Sequence, residues 1–357
     1  MKFLLLLCLT SLLLCGTNTW ADTKSTVNKW AEFDKDTASV LDLIAVDKLK
    51  EALDKADEMQ KKKHDIASYD CLRAAILYKI GEEYRSRQFE EDFQSSIKRS
   101  VALLEDESKD AARGNIYKAK RLQFLGSAYG YRGMYRSLEG LWASAFFDGK
   151  RGYGVLEESL VLDPTLIDNK AGMGTYLYWR SAKAGVVKYL LFWGDKKKEG
   201  IADLRSVIVD GIIVKQWALG GLLRIYIEER DWPTALEYAV RILNNYPTDS
   251  GTLRRKAMVL YMLGRKEESL KVMKDELFPL FVSKDNTILY KNKKLNTANA
   301  QIETIYHILK MNKELDEKFV DADTKKKYLS DIESLKKRVT KSFADIDGYL
   351  QKIKDMQ

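Results

Sequence analysis

From Val27 to Met59, apolar side chains fall at Trp30, Phe33, Val40, Leu41, Ile44, Leu49, Leu53 and Ala56. That three-and-four spacing is the period of helix with one buried face. A second helical run covers Ile66 to Ile80 and ends near Gly81; a third covers Phe89 to Leu104. The polar stretch EDESKDAARGN, starting at Glu105, then breaks the pattern and marks a first boundary. At the other end, Leu335, Val339, Ile346, Tyr349, Ile353 and Met356 continue the same spacing from Ile332, with Ser342 interrupting. This tail predicts a long C-terminal helix, either a cap on what precedes it or a helix docked along a groove or paired with another helix. Only four prolines occur and 31% of residues are charged, a composition suited to long helices.

The middle of the chain repeats itself. ALGGLLRIYIEERDWPTALEYAVRILNNYPTD begins at Ala218, and TLRRKAMVLYMLGRKEESLKVMKDELFPLF begins at Thr252. A shift of 34 residues superposes Tyr226 on Leu260, Arg230 on Gly264, Ala235 on Ser269 and Leu236 on Leu270. Each unit predicts a helix, a short polar turn and a second helix with a small residue early in it, which lets the two helices approach closely. Asp231 is placed to cap the second helix, with Pro233 in the opening turn where its missing N–H costs nothing.

These units resemble the tetratricopeptide repeat, with small Ala235 and Pro247 at the expected places. Leu223 stands where the first helix usually has a small residue, and Ala257 restores that residue in the next unit. Upstream, the stretch from Leu122 to Gly185 resembles a further repeat pair. It is similar to uncharacterised exported bacterial repeat proteins carrying an LG-AYG helix, an LDP turn and a G-G-Y-Y helix, which share some likeness with the tetratricopeptide-39 family. The resemblance covers Tyr117 to Phe281. It implies an all-α, right-handed solenoid of antiparallel helix pairs and a habit of binding proteins, and it carries over no catalytic residue. The expected organisation is a signal peptide over 1–21, an N-terminal helical region over 22–112, a solenoid over 113–281 and a helical cap over 282–357. The N-terminal region is either more degenerate repeats or a separate bundle.

The first residues read as a targeting segment: Lys2, an apolar stretch from Phe3 to Leu14, and small-residue cleavage after Ala21. The alternative is lipidation at Cys15, which Gly16 suits and Leu14 does not. Cleavage after Ala21 leaves Cys71 as the sole cysteine and therefore no internal disulfide, and the chain has no Asn-x-Ser/Thr sequon. Together these favour a bacterial periplasmic or envelope protein, an outer-membrane lipoprotein if Cys15 is lipidated. With 60 basic against 52 acidic residues, the net charge of +8 leans weakly toward acidic partners or anionic lipid.

Several stretches invite a chemical reading. Gly172 and Gly174 lack the third glycine of a dinucleotide loop, since Leu177 holds that place, and no strand precedes them. They are expected to serve packing, against Ser127, Gly130 or Gly133. Arg113 to Arg151 interleaves basic residues with Tyr129, Tyr131, Tyr135 and Trp142. In an exported protein this fits an aromatic core with a basic rim, or a concave surface for an acidic peptide or glycan, better than nucleic acid. Leu190, Leu191, Phe192 and Trp193 end an apolar run beside Lys196–Lys198, the look of either a buried helix end or a membrane-interfacial segment. The paired carboxylates Glu157–Glu158 and Glu267–Glu268 read as solvated helix surface. Cys71 reads as a buried thiol, and the distant His64 and His307 supply neither a metal site nor a triad.

The expectation is thus a non-catalytic scaffold without metal or cofactor, binding a protein or peptide in a helical groove. Tyr131, Arg132, Tyr135, Arg136, Tyr178 and Arg180 are the expected groove contacts, aromatics giving area and arginines orientation. A peripheral membrane protein and a glycan-binding protein remain the alternatives, and the oligomeric state stays open.

Overall fold

The computed structural model describes residues 33–61, 66–183, 194–285, 289–291 and 293–356. They form helices α1 (33–45), α2 (Leu49–Lys61), α3 (Ile66–Tyr84), α4 (Glu90–Glu107), α5 (Gly114–Leu138), α6 (Trp142–Leu162) and α7 (Asn169–Lys183). There follow α8 (Lys197–Asp210), α9 (Lys215–Glu228), α10 (Trp232–Asn245), α11 (Ser250–Met262) and α12 (Lys266–Lys271). Through a π-turn at Val272–Leu277, α12 runs on into α13 (Phe278–Lys284). A two-stranded hairpin, β1 (Leu289–Tyr290) antiparallel to β2 (Lys293–Lys294), precedes α14 (Ala298–Glu314), α15 (Ala322–Lys336) and α16 (Ile346–Lys354).

The helices pack as consecutive pairs, α3 with α4, α5 with α6, α7 with α8, α9 with α10 and α11 with α12, and each pair rests on the next. One local turn recurs between helices. At Arg230 the chain takes φ +58°, and its amide donates to the Ile227 carbonyl at 3.1 Å while Asp231 N–H donates to the Tyr226 carbonyl at 2.9 Å. Gly264, 34 residues on, repeats this with φ +77° and bonds to Tyr261 and Leu260. The same two-bond ending occurs at Asp47, Gly140 and Asp316. It satisfies carbonyls that a helix end would otherwise leave unpaired, and it needs a left-handed residue. Asp231 accepts from Thr234 N–H and so caps α10, with Pro233 in its opening turn.

Small residues then set the distance within pairs. Ala235 and Ser269, equivalent in the repeat, are both fully buried. Ser269 Oγ donates to the Ala257 carbonyl at 2.6 Å, as Ser159 does to Ala119 at 2.7 Å and Ser100 to Ala67 at 2.8 Å. In three pairs a serine of the second helix thus bonds the backbone of the first.

The glycines of α7 pack, but not where the sequence placed them. A Cβ on Gly174 would lie 2.5 Å from the Gly200 carbonyl oxygen, so α7 and α8 touch through their backbones. Gly172 instead makes room for Leu156 of α6.

Two further expectations change. The helical run starting at Val27 turns sharply at Asp47, whose φ of 58° ends α1 before α2 begins. The long C-terminal helix is two helices, because residues 337–345 cross over other elements. Lys341 carbonyl accepts from Arg87 N–H, Asn299 holds Thr340, and Ser342 Oγ donates to the Arg85 carbonyl at 2.6 Å. Asp345 then starts α16 by accepting from Gly348 N–H.

The array does not stay open. The main apolar cluster joins residues of 33–135 to residues of 253–353, while α7 to α11 hold two smaller clusters. The meeting point is α3, buried along nearly its whole length and touching α2, α4, α5, α11 and α14. The core therefore disregards the sequence boundary at residue 112.

Candidate functional site

The six expected groove residues face three different environments. Tyr135 is buried, stacked on Phe93 at 4.2 Å with Phe343 edge-on at 5.3 Å. Tyr131 wedges between Tyr78 and Trp217, ring centroids 6.3 and 5.9 Å away, and this burial pushes its hydroxyl well above the usual range. Arg132 and Arg136 both grip Asp148, whose carboxylate is 1% exposed, at 2.7 and 2.6 Å. In α7, Tyr178 is fully buried and donates to Glu229 at 2.6 Å, while Arg180 lies over the Tyr176 ring at 5.7 Å. These residues bind the chain to itself; Tyr135 and Tyr178 offer no surface to a partner. Cys15, Leu190, Leu191, Phe192, Trp193 and the targeting segment 1–21 lie outside the described residues.

Where the inner faces of α3, α9, α11 and α14 meet, ionised groups fill the space instead of a groove. Glu82 of α3 takes Arg224 at 2.7 Å and Arg255 at 2.6 Å. Its neighbour Glu83 takes Lys79 at 2.7 Å, the Ser250 hydroxyl, and lies beside Arg254, which donates to the Glu83 carbonyl at 2.6 Å. Glu303 of α14 receives Arg85 at 2.9 Å and Arg254 at 3.6 Å. Burial alone would push the Glu82 carboxyl up, but Arg224, Arg255 and Lys79 outweigh it and hold the group well below the usual carboxylate range. Glu303 is depressed in the same way, its burial outweighed by Arg254 and Arg85. Each carboxylate is saturated by cations, an arrangement that fixes α3 in place and leaves no carboxyl ready to trade a proton. This is a structural lock.

Asp47 differs. It accepts from the Tyr84 hydroxyl at 2.9 Å, with Lys284 at 3.8 Å, and burial together with nearby Glu83 raises its carboxyl to about 7. His307 is pulled below its ordinary value by burial on α14. The Cys71 thiol, fully enclosed, is pushed up by burial and donates to the Phe124 carbonyl at 3.7 Å. Among the described residues no group of three or more His, Cys, Asp or Glu could hold a metal ion, and no helix is long and apolar enough to cross a membrane. The two best-formed cavities, between α14, α15 and α16 and between α3 and α4, each have room for about one water molecule.

Among the described residues, large apolar side chains stand exposed at several places, including Val209 with Ile212, Met258 with Met262, and the α5–α6 corner. Leu141, Trp142 and Phe147 are 52%, 60% and 61% exposed. The left-handed residue Gly140, at φ +77°, ends α5 and lets the chain reverse into α6. Phe146 turns partly inward against Tyr176 of α7 at 6.1 Å. Lys150 and Arg151 follow Phe147 by three and four residues, so they extend the same exposed stripe of α6. Neither has an ion pair among the described residues, whereas the acids of the corner are spent: Asp148 on Arg132 and Arg136, Glu139 on Arg87. The sequence had flagged Trp142 and its basic neighbours as a group. It gave no sign that Tyr129 and Tyr135 of that group turn inward while Phe147 turns out.

A scan against protein-family models and a search of curated proteins each return no match for this chain.

Proposed function

We propose that this is an exported, non-catalytic scaffold of the tetratricopeptide kind, a right-handed helical solenoid that works by binding a protein or peptide partner. The repeat spacing and the recurring turn at Arg230 and Gly264 support the family reading. The observation that carries the binding reading is the α5–α6 corner, with Leu141, Trp142 and Phe147 exposed beside unpaired Lys150 and Arg151. Exposed aromatics are costly to leave in water, and they are the anchors that interfaces use. The seat moves to this corner from the inner groove because the inner face already holds α3. The targeting segment of the sequence supports a periplasmic or envelope location, with Cys15 lipidation as one route to the membrane.

The test is crosslinking in the native host, followed by recovery of a C-terminally tagged chain and mass spectrometry. A dominant partner, lost in the Trp142→Ala, Phe147→Ala variant while the fold persists, supports the scaffold. Recovery of the same proteins by wild type and variant, or of tagged material in membranes without any protein, sinks it. Arg132→Glu with Arg136→Glu is a poor choice of variant, because it strands the buried Asp148.

A further inference from the structure

We infer that the turn between α1 and α2 is a proton-sensitive latch on the closed array, held while the Asp47 carboxyl keeps its proton and loosened when that proton leaves. The turn lies on the seam where the two ends of the chain meet. The Thr248 hydroxyl donates to the Val46 carbonyl at 2.9 Å, and the Tyr246 hydroxyl to Asp42 of α1 at 3.3 Å. At the end of α13, the Lys284 ammonium donates to the Asp47 carbonyl at 2.5 Å. These partners stand 202, 204 and 237 positions away, so residues 42–47 tie the first two helices to the far part of the array. The turn itself is tight, with Asp47 at φ 58° and Lys48 N–H donating to the Leu43 carbonyl at 2.8 Å.

The seam is sensitive because of what surrounds the Asp47 carboxyl. The residue is 1% exposed, and the Tyr84 hydroxyl, 2.9 and 3.0 Å from the two oxygens, is their one hydrogen-bond donor among the described residues. The charged groups facing it are Lys79 and Glu83 of α3 and Lys284 of α13. Lys79 is taken by Glu83 at 2.7 Å and by Asp249 at 3.4 Å, and Lys284 stands 3.8 Å from the carboxylate. Arg254 of α11, which faces Tyr84, is occupied by the Glu83 carbonyl and by Glu303. An ionised Asp47 would therefore lie in the interior beside a second carboxylate with one neutral donor, whereas the protonated form avoids that cost. Burial and Glu83 accordingly raise the carboxyl from 3.8 to about 7. Once the turn opens, the carboxyl meets water and returns to its ordinary value. Between those two values the closed latch holds one proton more than the open one, so each pH unit climbed favours opening about tenfold. Above about 7 both forms are ionised and the effect levels off. Acid clamps the seam.

The test is hydrogen–deuterium exchange of the full chain at pH 5, 6, 7 and 8, read as protection factors so that the intrinsic pH dependence of exchange is divided out. The amides of Val46 and Lys48, which donate to the Asp42 and Leu43 carbonyls at 3.0 and 2.8 Å, report the turn, and those of α9 report the repeats. Protection at Val46 and Lys48 should fall about tenfold per pH unit from pH 5 to 7 and flatten by pH 8, while α9 holds steady. In Asp47→Asn, which keeps a residue suited to φ 58°, protection should stay constant across the range. A flat profile in the wild type, the same fall in Asp47→Asn, or a fall shared equally by α9 overturns the inference. A second readout needs no variant and decides the matter if Asp47→Asn does not fold: the carboxyl-carbon chemical shift of Asp47 followed through a pH titration of the wild type. A midpoint near 7, where protection levels off, supports the latch; a midpoint in the ordinary carboxylate range overturns it.

Discussion

Two glycine-to-alanine changes, each inside a helix, should move stability in opposite directions. Gly220 in α9 has no atom within 4 Å of where a Cβ would sit, so Gly220→Ala adds only the helix preference of alanine, worth about 0.5–1 kcal/mol. Gly174 in α7 gains the same preference, but its Cβ would lie 2.5 Å from the Gly200 carbonyl oxygen and 2.9 Å from Asp203 Cβ. The oxygen belongs to the backbone of α8 and cannot rotate away, so the two helices must part by several tenths of an ångström. Overpacking of this kind costs about 1–3 kcal/mol, and more when a pair of helices shifts as a unit. The net expectation is a loss of about 1–2 kcal/mol for Gly174→Ala against a gain of about 0.5–1 kcal/mol for Gly220→Ala. Gly200→Ala meets the Gly174 carbonyl at the same 2.5 Å, so the double change should cost less than the sum of its parts, the helices having already separated. Urea denaturation of the three variants and the double reads this directly. If Gly174→Ala stabilises as Gly220→Ala does, the α7–α8 backbone contact is wrong, and with it the packing account of these glycines.

Other expectations concern buried charge. Glu82→Gln leaves Arg224 and Arg255 without their anion in the interior and should cost about 2–4 kcal/mol in the same assay. A change near zero would mean that α3 is not locked there. Because the folded carboxyls of Glu82 and Glu303 are depressed, their stabilisation is present above the ordinary carboxylate range and lost as pH falls through the folded values; Glu82→Gln should flatten the acid limb of the stability curve. Asp47 works with the opposite sign. Raised to about 7, it favours the fold below its ordinary value and loses that contribution as pH climbs toward 7 and past it. Asp47→Asn keeps a residue that tolerates φ 58° and can still accept from Tyr84, so it should be nearly neutral at pH 4 and stabilising by about 2–4 kcal/mol at pH 8. A variant equally stable, relative to wild type, at both values refutes the assignment.

What the sequence disclosed was local. The N-cap at Asp231, the Arg230–Gly264 equivalence and the small residues Ala235 and Ser269 each depend on neighbours within one repeat, and all are found in place. The closing of the array was not legible, because it rests on pairs such as Glu82 with Arg224 and Glu303 with Arg85, separated by 142 and 218 positions. A 34-residue period fixes how one helix pair follows another but not which distant pairs come to face each other. That Tyr135 and Tyr178 turn inward was illegible for the same reason. Tyr135 and Tyr178 sit on helices whose periodicity shows an apolar face without showing that Phe93 or the α8–α9 side covers it. The break at 337–345 is likewise set by tertiary bonds from Arg87, Asn299 and Arg85, invisible in the apolar spacing of the tail.

The claim that the partner sits at the outer corner and not within the array is tested most directly by a photo-crosslinking residue placed at Phe147 in one chain and at Tyr131 in another, irradiated in the native host. The account predicts a discrete protein adduct from position 147 and none from position 131, whose half-buried ring packs against Tyr78 and Trp217. An adduct from 131 with none from 147 would contradict it and return the binding site to the interior of the array.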